Sequence, residues 1–365
     1  MANTKGVSPP GDAPPMDVLV YDTKRYDRET LQAANAAQGA PHRLVFVESL
    51  LDERTASLAD GFPAVSIFVN DDASAPALAR LAEGGVRLVA LRSTGFNNVD
   101  LEAAARSGLT VMRVASYSPH AVAEFAVGLL LAVNRKLHRA FNRTREGNFM
   151  LDGLEGWDIH GKTVGVIGTG RIGAVFARIM QGFGVTLLGY DLTPSPDCLA
   201  LGMRYVALDE LLALSDVISL HIPLVPATYH LIDAGALAKM KPGVILINTS
   251  RGALVDAEAL IEALKSGRVG AVGLDVYEEE EGLFFRDRSD QIIADDVLAR
   301  LLTFPNVLLT GHQAFFTREA LAQIAGTTIR NLSDFEAGRR NENVLVPDAP
   351  APGPVSPSRD GGGEG

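Results

Sequence analysis

The sequence predicts an α/β protein made of two domains, each a doubly wound parallel sheet with helices on both faces. Two observations predict this class. Short apolar runs alternate with helical patterns along most of the chain, which is typical of parallel strands joined by crossover helices. At 365 residues the chain also exceeds the size at which a single hydrophobic core usually divides. We therefore expect two domains of ordinary size.

The predicted strands fall into two series. The first is MDVLVYD from Met16, RLVFVES from Arg43, AVSIFVN from Ala64, VRLVALRS from Val86 and TVMRV from Thr110. A long apolar helix pattern, Ala121 to Arg145, leads into the second series, which is VGVIG, VTLLGYD, DVISLHIP, GVILINTS, VGAVGLDV and VLLTGH. A final helix pattern follows from Thr317 to Glu336. Because strands buried on both faces read as apolar runs, each series predicts one parallel sheet.

The order of these elements predicts how the chain is divided. The glycine-rich turn after VGVIG lies mid-chain, with other strands before and after it. We therefore predict a cofactor-binding domain at residues 116–313, inserted within a discontinuous substrate domain at 16–115 and 314–346. Residues 1–15 and 347–365 are rich in Pro, Gly and Ser, so we expect flexible tails there.

Composition excludes several classes of function. A net charge of −11 argues against nucleic-acid binding, because no basic field replaces phosphate counterions. The one basic concentration, RKLHRAFNRTR at 135–145, is expected to be a solvated face or a subunit contact. Cys198 is the sole cysteine, which excludes internal disulfides and cysteine-rich zinc sites and fits a reducing compartment. With no apolar run of membrane-spanning length and no histidine spacing that suggests a metal, we expect a metal-free protein of the cytoplasm.

The stretch VGVIGTGRIG at 164–173 carries the clearest chemical signal. A buried strand that runs into Gly168, Gly170 and Gly173 forms a turn tight enough for the backbone to approach a pyrophosphate at a helix N-terminus. Asp191 follows 18 residues after Gly173, at the end of the next apolar run. A carboxylate there accepts hydrogen bonds from the adenosine ribose and repels a 2′-phosphate. The pattern therefore predicts NAD rather than NADP.

Three later strands place polar residues at the same edge of the sheet, where ligands bind in open parallel sheets. Arg251 follows GVILINTS, an acidic run of Asp275 and 278–281 follows VGAVGLDV, and His312 follows VLLTG. An arginine can hold a carboxylate by two parallel hydrogen bonds, and a histidine can give a proton to a carbonyl oxygen as hydride arrives. A carboxylate against the other imidazole nitrogen would fix the tautomer and favour the charged ring. These residue types suit hydride transfer to a 2-keto acid.

The chain resembles the D-isomer-specific 2-hydroxyacid dehydrogenases, and among them the bacterial fermentative D-lactate dehydrogenases. The resemblance covers about Met16 to Pro347. Its motifs are STGFNNVD at 93–100, YSPHAVAE at 117–124, GVIGTGRIG at 165–173, SDVISLHIPL at 215–224, NTSRGALVD at 248–256, LDVYEEE at 274–280 and GHQAF at 311–315. It implies two Rossmann-like domains with an interdomain cleft, reversible conversion of pyruvate to D-lactate with NADH, and at least a homodimer.

The resemblance also implies roles for particular residues. The catalytic set is Arg251, Glu280 and His312. The dinucleotide contacts, besides the fingerprint glycines, are Arg171, Ile172, Asp191, Ile222, Pro223, Thr228, Thr249, Ser250 and Asp275. Backbone amides around Thr94 and Gly95 face the substrate carboxylate, and Tyr117 and Phe315 line a small pocket that fits a methyl group.

Some interpretations stay open from the residues alone. Spacing does not choose among the four glutamates at 278–281, and only the resemblance points to Glu280; the other three are expected to form a solvated acidic face. His221 and His230 are expected to be structural. Phenylpyruvate or a branched keto acid is an alternative to pyruvate. An NADH-sensing binding protein is the alternative to an enzyme, because a shared fold does not establish activity.

Overall fold

The computed structural model describes residues 15–280, 283–285 and 287–346. The predicted tails, apart from Pro15, and Glu281 lie outside these residues. The chain divides into two compact units, the first within Met1–Tyr117 and Arg318–Gly365 and the second Ser118–Thr317. The predicted boundaries, after residues 115 and 313, fall two and four residues earlier. Each unit is described by itself below.

The first unit starts with five strands that pair in parallel, and each strand of the first predicted series is present. The intervening helices have the mixed apolar and polar pattern of helices that cover a sheet. The elements are β1 (Met16–Val20), α1 (Arg25–Ala37), β2 (His42–Phe46), β3 (Ala64–Ile67), α2 (Ala75–Glu83), β4 (Leu88–Leu91), α3 (Leu101–Arg106) and β5 (Thr110–Met112).

The second unit contains seven strands, all of them parallel, in the order β12-β11-β10-β9-β6-β7-β8. Its elements are α4 (Pro119–Asn134), α5 (Leu137–Arg145), β6 (Thr163–Ile167), α6 (Arg171–Gln181), β7 (Thr186–Tyr190), α7 (Pro196–Ala200), β8 (Arg204–Tyr205), α8 (Leu208–Leu214), β9 (Val217–Leu220), α9 (Ala234–Lys239), β10 (Val244–Asn248), α10 (Ala257–Lys265), β11 (Val269–Leu274), α11 (Asp296–Leu302) and β12 (Val307–Leu309).

The last two elements belong to the first unit. They are α12 (Arg318–Glu336) and β13 (Val344–Val346). The strand completes a six-stranded sheet in the order β13-β5-β4-β3-β1-β2. The strand β13 pairs antiparallel to β5. The sequence predicts only parallel strands and misses this edge strand, because three residues carry too little periodicity to recognise.

The helix predicted from Ala121 to Arg145 is wrong in one respect, because it is two helices. Lys136 has a left-handed backbone, with φ at +52°, which ends the helical hydrogen bonding between α4 and α5. Just before it, the side chain of Asn134 donates to the carbonyl of Trp157 at 2.7 Å and accepts from its N–H at 3.2 Å. These bonds tie the end of α4 to the segment that precedes β6.

Side-chain caps set several helix starts. The carboxylates of Asp100, Asp233, Asp256 and Asp295 each accept a hydrogen bond from the backbone N–H three residues on, at the starts of α3, α9, α10 and α11. Such caps satisfy N–H groups that a helix itself leaves unpaired. Three of these helices follow strands β9 to β11, so the caps help to define where the strand-end loops stop.

Both sheets are buried, as their apolar runs predict. Every residue of β3, β4, β9 and β10 is buried. Burial of apolar surface at roughly 25 cal/mol per Å² is the main stabilising contribution in such cores. The described part of the chain has no helix with the length and apolar character that crossing a membrane would require.

Candidate active site

The turn between β6 and α6 packs backbone against backbone. Gly168 has φ at +91°, a conformation that side chains other than glycine rarely adopt. A Cβ on Gly173 would collide with the carbonyl oxygen of Gly168, whereas one on Gly170 would meet nothing within 4 Å. The first and third glycines thus allow the tight turn, and the second leaves open space beside the backbone. That space suits the approach of a ligand.

The start of α6 presents unpaired donors beside this open space. The first helical hydrogen bond of α6 runs from Ala174 N–H to the carbonyl of Gly170, at 2.9 Å. Among the described residues, the N–H groups of Arg171, Ile172 and Gly173 therefore have no backbone acceptor. An anionic group is stabilised at such a helix N-terminus by these donors and by the helix dipole. The residues present fit a dinucleotide pyrophosphate.

Asp191 lies directly after β7 and is held against the same turn. Its Oδ2 accepts hydrogen bonds from the N–H of Thr169 at 2.6 Å and from its hydroxyl at 3.1 Å. Tyr205 donates in turn to the Thr169 hydroxyl at 2.7 Å. Partial burial opposes ionisation of Asp191, but the hydrogen bonds from Thr169 and Thr193 outweigh it and hold the pKa of this carboxyl below its ordinary value. The group is therefore an anion fixed beside the glycine-rich turn.

Four other predicted dinucleotide contacts follow β9, which pairs with β6, and β10, which pairs with β9. Ile222 and Pro223 come after β9, and Thr249 and Ser250 come directly after β10. Ser250 donates its hydroxyl to the carbonyl of Leu220 at 2.8 Å, which links the two strand ends. Among the described residues, Thr249 Oγ1 is buried without a hydrogen-bond partner. A buried hydroxyl of this kind is expected to find a partner when a ligand binds.

Thr228 forms hydrogen bonds within its own loop. Its hydroxyl donates to the carbonyl of Pro223 at 2.8 Å and accepts from the N–H of Val225 at 2.9 Å. These bonds stabilise the turn that follows Pro223. A contact between Thr228 and a dinucleotide stays a prediction.

The structure pairs His312 with Glu280. His312 Nδ1 lies 2.8 Å from Glu280 Oε1, with the two side chains 17% and 23% exposed. Glu280 Oε2 also accepts from the N–H of Tyr277 at 3.1 Å. A carboxylate can only accept hydrogen bonds, so Nδ1 carries a proton in this pair. The other ring nitrogen, Nε2, is then the one that can exchange a proton with a ligand.

Asp275 holds the loop that carries His312. Its carboxylate accepts bonds from the Thr310 hydroxyl at 2.6 Å, from Gln313 N–H at 2.9 Å and from Ala314 N–H at 2.7 Å. Its carbonyl accepts from the N–H of His312 at 2.7 Å. Complete burial raises the pKa of Asp275, although the hydrogen bonds oppose that effect. The side chain is thus a buried anchor for residues 310–314, and a contact between it and a dinucleotide stays a prediction.

Arg251 follows β10, next to β11 in the sheet. Its guanidinium donates to the carbonyl of Ser250 at 2.6 Å, and Asn248 donates to the carbonyl of Arg251 at 2.8 Å. The next residue, Gly252, contacts the backbone of Tyr277 and Glu278 so closely that no side chain would fit. The loop that carries Arg251 therefore touches the segment that carries Glu280.

An aromatic group lies beside the imidazole. The ring of Phe285 is 5.9 Å from that of His312 and 6.5 Å from that of Phe315, and Phe315 is 5.9 Å from Phe316. Phe315 is buried, and its place in a substrate pocket stays a prediction. Sequence reasoning did not single out Phe285, because it lies outside any strand end or spacing that suggests function.

The predicted substrate residues of the first unit lie after β4. The Thr94 hydroxyl donates to the carbonyl of Val114 at 2.8 Å, and Ser93 donates to the carbonyl of Gly95 at 2.7 Å. Within the described residues, the N–H groups of Thr94 and Gly95 make no hydrogen bond. They are thus available donors, which a bound carboxylate needs. Tyr117 is the last residue of the first of this unit's two segments and is partly exposed.

One expectation is wrong. Glu278 was expected in a solvated acidic face, but its Oε1 lies 2.8 Å from His230 Nε2 and accepts from the Tyr229 hydroxyl at 3.0 Å. Glu279, by contrast, is exposed. The pairing escapes sequence reasoning because His230 lies 48 residues away and no spacing rule connects it to Glu278. Within the described residues, no cluster of three or more His, Cys, Asp or Glu side chains is placed to hold a metal ion.

Comparison with known proteins points to one family. Residues 127–314 match the family profile described as D-isomer specific 2-hydroxyacid dehydrogenase, NAD binding domain. A D-lactate dehydrogenase of Escherichia coli is 53% identical over 331 residues, which is 91% of this chain and 100% of that protein. A 2-hydroxyacid dehydrogenase homolog of Haemophilus influenzae is 50% identical over 332 residues, again 91% of this chain and 100% of that protein.

Solved structures agree with these sequence matches. The apo-structure of D-lactate dehydrogenase from Escherichia coli superposes with a TM-score of 0.83 and 51% identity, over 91% of this chain and 100% of that chain. A D-lactate dehydrogenase from Aquifex aeolicus, complexed with NAD and lactic acid, superposes with a TM-score of 0.81 and 32% identity, over 91% of this chain and 100% of that chain.

Proposed function

Because the chain belongs to the D-isomer-specific 2-hydroxyacid dehydrogenase family, we propose that it is an NAD-dependent D-lactate dehydrogenase that interconverts pyruvate and D-lactate. The observation that carries the proposal is the 2.8 Å contact between His312 Nδ1 and Glu280 Oε1. It leaves Nε2 as a proton donor at the edge of the sheet where the glycine-rich turn fits a dinucleotide. Similarity to D-lactate dehydrogenases over nine-tenths of the chain supports the same substrate.

The dinucleotide, when bound, supplies the hydride. The residues that would hold it are the 168–173 turn, Asp191, and the strand-end residues Ile222, Pro223, Thr249 and Ser250. The carboxylate of Asp191, held beside the turn by Thr169, would accept hydrogen bonds from an adenosine ribose and repel a 2′-phosphate, which favours NAD. Leu192, Thr193 and Pro194 follow it, so no cation stands there to bind the extra phosphate.

The other residues bind the keto acid and move its proton. Arg251 binds the substrate carboxylate by two hydrogen bonds. His312 Nε2 donates a proton to the carbonyl oxygen as the carbon is reduced, and takes it back in the reverse direction. Glu280 holds the imidazole in the tautomer and orientation that this requires. Phe285 and Phe315 narrow the space beside the ring, which favours the methyl group of pyruvate over a larger side chain.

The test is NADH oxidation with pyruvate by the purified protein and by a His312→Gln variant. The variant should bind NADH with unchanged affinity and lose about 10²- to 10⁴-fold in turnover, the usual contribution of a general acid. The alternative, an NADH-sensing binding protein, would bind NADH but turn over no keto acid. A variant with normal turnover would remove His312 from the proposed role. Phenylpyruvate and a branched keto acid, assayed alongside, test the choice of substrate.

We also propose that the protein is a homo-oligomer, at least a dimer, that reduces pyruvate during fermentation in the cytoplasm. Residues 137–151 support self-association, because none of α5 is buried and large apolar side chains stand exposed on this segment. They are Leu137, Phe141, Phe149, Met150 and Leu151, from 55% to 82% exposed. A concentration of exposed large apolar side chains in one short segment is typical of an interface. Sedimentation of the wild type should show a dimer or larger, and Phe149→Ser with Leu151→Ser should shift it toward monomer.

A further inference from the structure

Besides the 4.0 Å approach of Asp256 Oδ2 to His230 Nδ1, the described residues of the second unit contain two hydrogen bonds between an imidazole and a carboxylate, and the proposed chemistry uses only one of them. The other joins His230 Nε2 to Glu278 Oε1 at 2.8 Å, with the side chains 27% and 20% exposed. Tyr229 donates its hydroxyl to the same oxygen at 3.0 Å, and its ring stacks on that of His230 at 4.0 Å and 17°. Three side chains thus form one hydrogen-bonded group around Glu278 Oε1.

His230 is anchored to the loop that follows Arg251. Its N–H donates to the carbonyl of Ala253 at 2.8 Å, and two residues later Ile232 N–H donates to the carbonyl of Leu254 at 3.0 Å. The backbone of His230 has φ at +47°, an uncommon conformation for a residue other than glycine. Neighbouring backbone bonds therefore fix the backbone of His230 independently of Glu278.

Two glutamates of the turn at 277–280 each contact a different histidine. Glu278 contacts His230, and two residues later Glu280 contacts His312. The turn is also held by the bond from Tyr277 N–H to Glu280 Oε2 at 3.1 Å and by the close approach of Gly252 to the backbone of Tyr277 and Glu278. The placement of Glu280 against His312 thus depends on how firmly the rest of the turn is held.

We propose that His230, Tyr229 and Glu278 are positioning residues that hold the turn at 277–280, so that Glu280 meets His312 in the geometry that proton transfer needs. The inference rests on the proposed function for its kinetic consequences. Glu278 acts through its hydrogen bonds and not through its charge. By holding the turn, Glu278 helps to orient the imidazole of His312. This orientation matters because a misplacement of about 1 Å in an active site can lower the rate about 100-fold.

Three variants at neighbouring positions test the inference. Glu278→Ala removes both hydrogen bonds and should lower kcat for pyruvate by about tenfold to a hundredfold, with the Kd for NADH unchanged. Glu278→Gln keeps an acceptor for Tyr229 and His230, so it should recover kcat to within a few-fold of wild type and leave the pH profile in place. Glu279→Ala, in the same turn but exposed, should behave as wild type. If Glu278→Ala fails to fold, His230→Ala removes the main contact from the other side.

Two outcomes would overturn the inference. Normal kcat in Glu278→Ala would show that the turn needs no such support. A pH profile that shifts in Glu278→Gln as far as in Glu280→Gln would show that Glu278 acts by its charge. Crystal structures of Glu278→Ala and the wild type give a readout that needs no turnover, because the bond from His312 Nδ1 to Glu280 should be lost only in the variant. If the wild type does not reduce pyruvate, the proposed function fails, and the crystal structures still decide the positioning role.

Discussion

Gly252→Ala adds one carbon atom, and the structure predicts that it has a large effect on catalysis. Gly252 directly follows Arg251, and an added Cβ would meet the carbonyl group of Tyr277 and the nitrogen of Glu278. The nearest of these atoms would lie about 1.4 Å inside the 3.4 Å at which ordinary van der Waals contact begins. All are backbone atoms, so no flexible side chain can move aside. The loop of Arg251 and the turn of Glu280 must separate.

The size of that separation determines the expected loss of kcat/KM for pyruvate. A displacement of about 1 Å at an active site can lower the rate about 100-fold, and here both Arg251 and Glu280 are displaced. We therefore expect kcat/KM for pyruvate to fall at least about 100-fold. Overpacking of this kind also destabilises a protein by typically about 1–3 kcal/mol, which should appear as a lower Tm. NADH binding should weaken less than kcat/KM falls, because the 168–173 turn and Asp191 follow β6 and β7 and are not on the displaced segments, whereas Thr249 and Ser250 directly precede Arg251.

Steady-state kinetics with pyruvate, fluorescence titration with NADH and thermal unfolding measure these three effects separately. Gly311→Ala is the matched control, because it adds the same methyl group next to His312 where nothing lies within 4 Å. Its effect should stay within about 0.5 kcal/mol, which is about twofold in rate. A Gly252→Ala variant with wild-type kcat/KM would refute the conclusion that close contact between these two segments places the catalytic residues.

Three further predictions concern charge. Glu280→Gln should move the pH profile for pyruvate reduction to lower pH, because a neutral amide no longer favours the charged imidazole; an unchanged profile would count against the pair. Asp191→Ala should weaken NADH binding and reduce the preference for NADH over NADPH, without making an efficient NADPH-dependent enzyme. The values of kcat/KM for both cofactors measure this. A wild type that prefers NADPH would exclude this role for Asp191. Burial lowers the pKa of His221 to about 3, so the folded state binds fewer protons than the unfolded state between that pH and about 6.5, and stability is lost as pH falls. Urea unfolding at pH 5 and pH 7 should show a loss of about 1–2 kcal/mol from this group, which His221→Gln should abolish while keeping a partner for Ser219; an equal loss in both proteins would contradict it.

Local rules explain why so much of the fold was predictable from sequence. Buried parallel strands leave apolar runs, so both strand series were confirmed. Gly168 and Gly173 could be recognised because the turn they form has backbone contacts that exclude any side chain. The break at Lys136 was missed, because it depends on bonds between Asn134 and Trp157 that no periodicity records.

The residues of the candidate site also divide into those that local rules predict and those that they do not. Residues at strand ends, such as Arg251 and His312, could be predicted because parallel strands deliver them to one edge. Which glutamate meets His312 could not be decided from spacing, since it depends on the path of a turn. Glu278 was misjudged for that reason, because its partner His230 comes from a distant loop. The roles of these residues stay predictions until the variants are measured.

The backbone of His312 has a consequence for directed evolution. With φ at +53° it has the left-handed conformation, which costs an ordinary residue roughly 1–2 kcal/mol and which asparagine adopts more readily. The bonds from Gln313 and Ala314 to Asp275 keep the loop in this shape. A screen for heat resistance alone would not keep His312 against asparagine, and a selected His312→Asn variant would lack the proposed proton donor. Improved variants of this protein have to be selected for turnover and stability together.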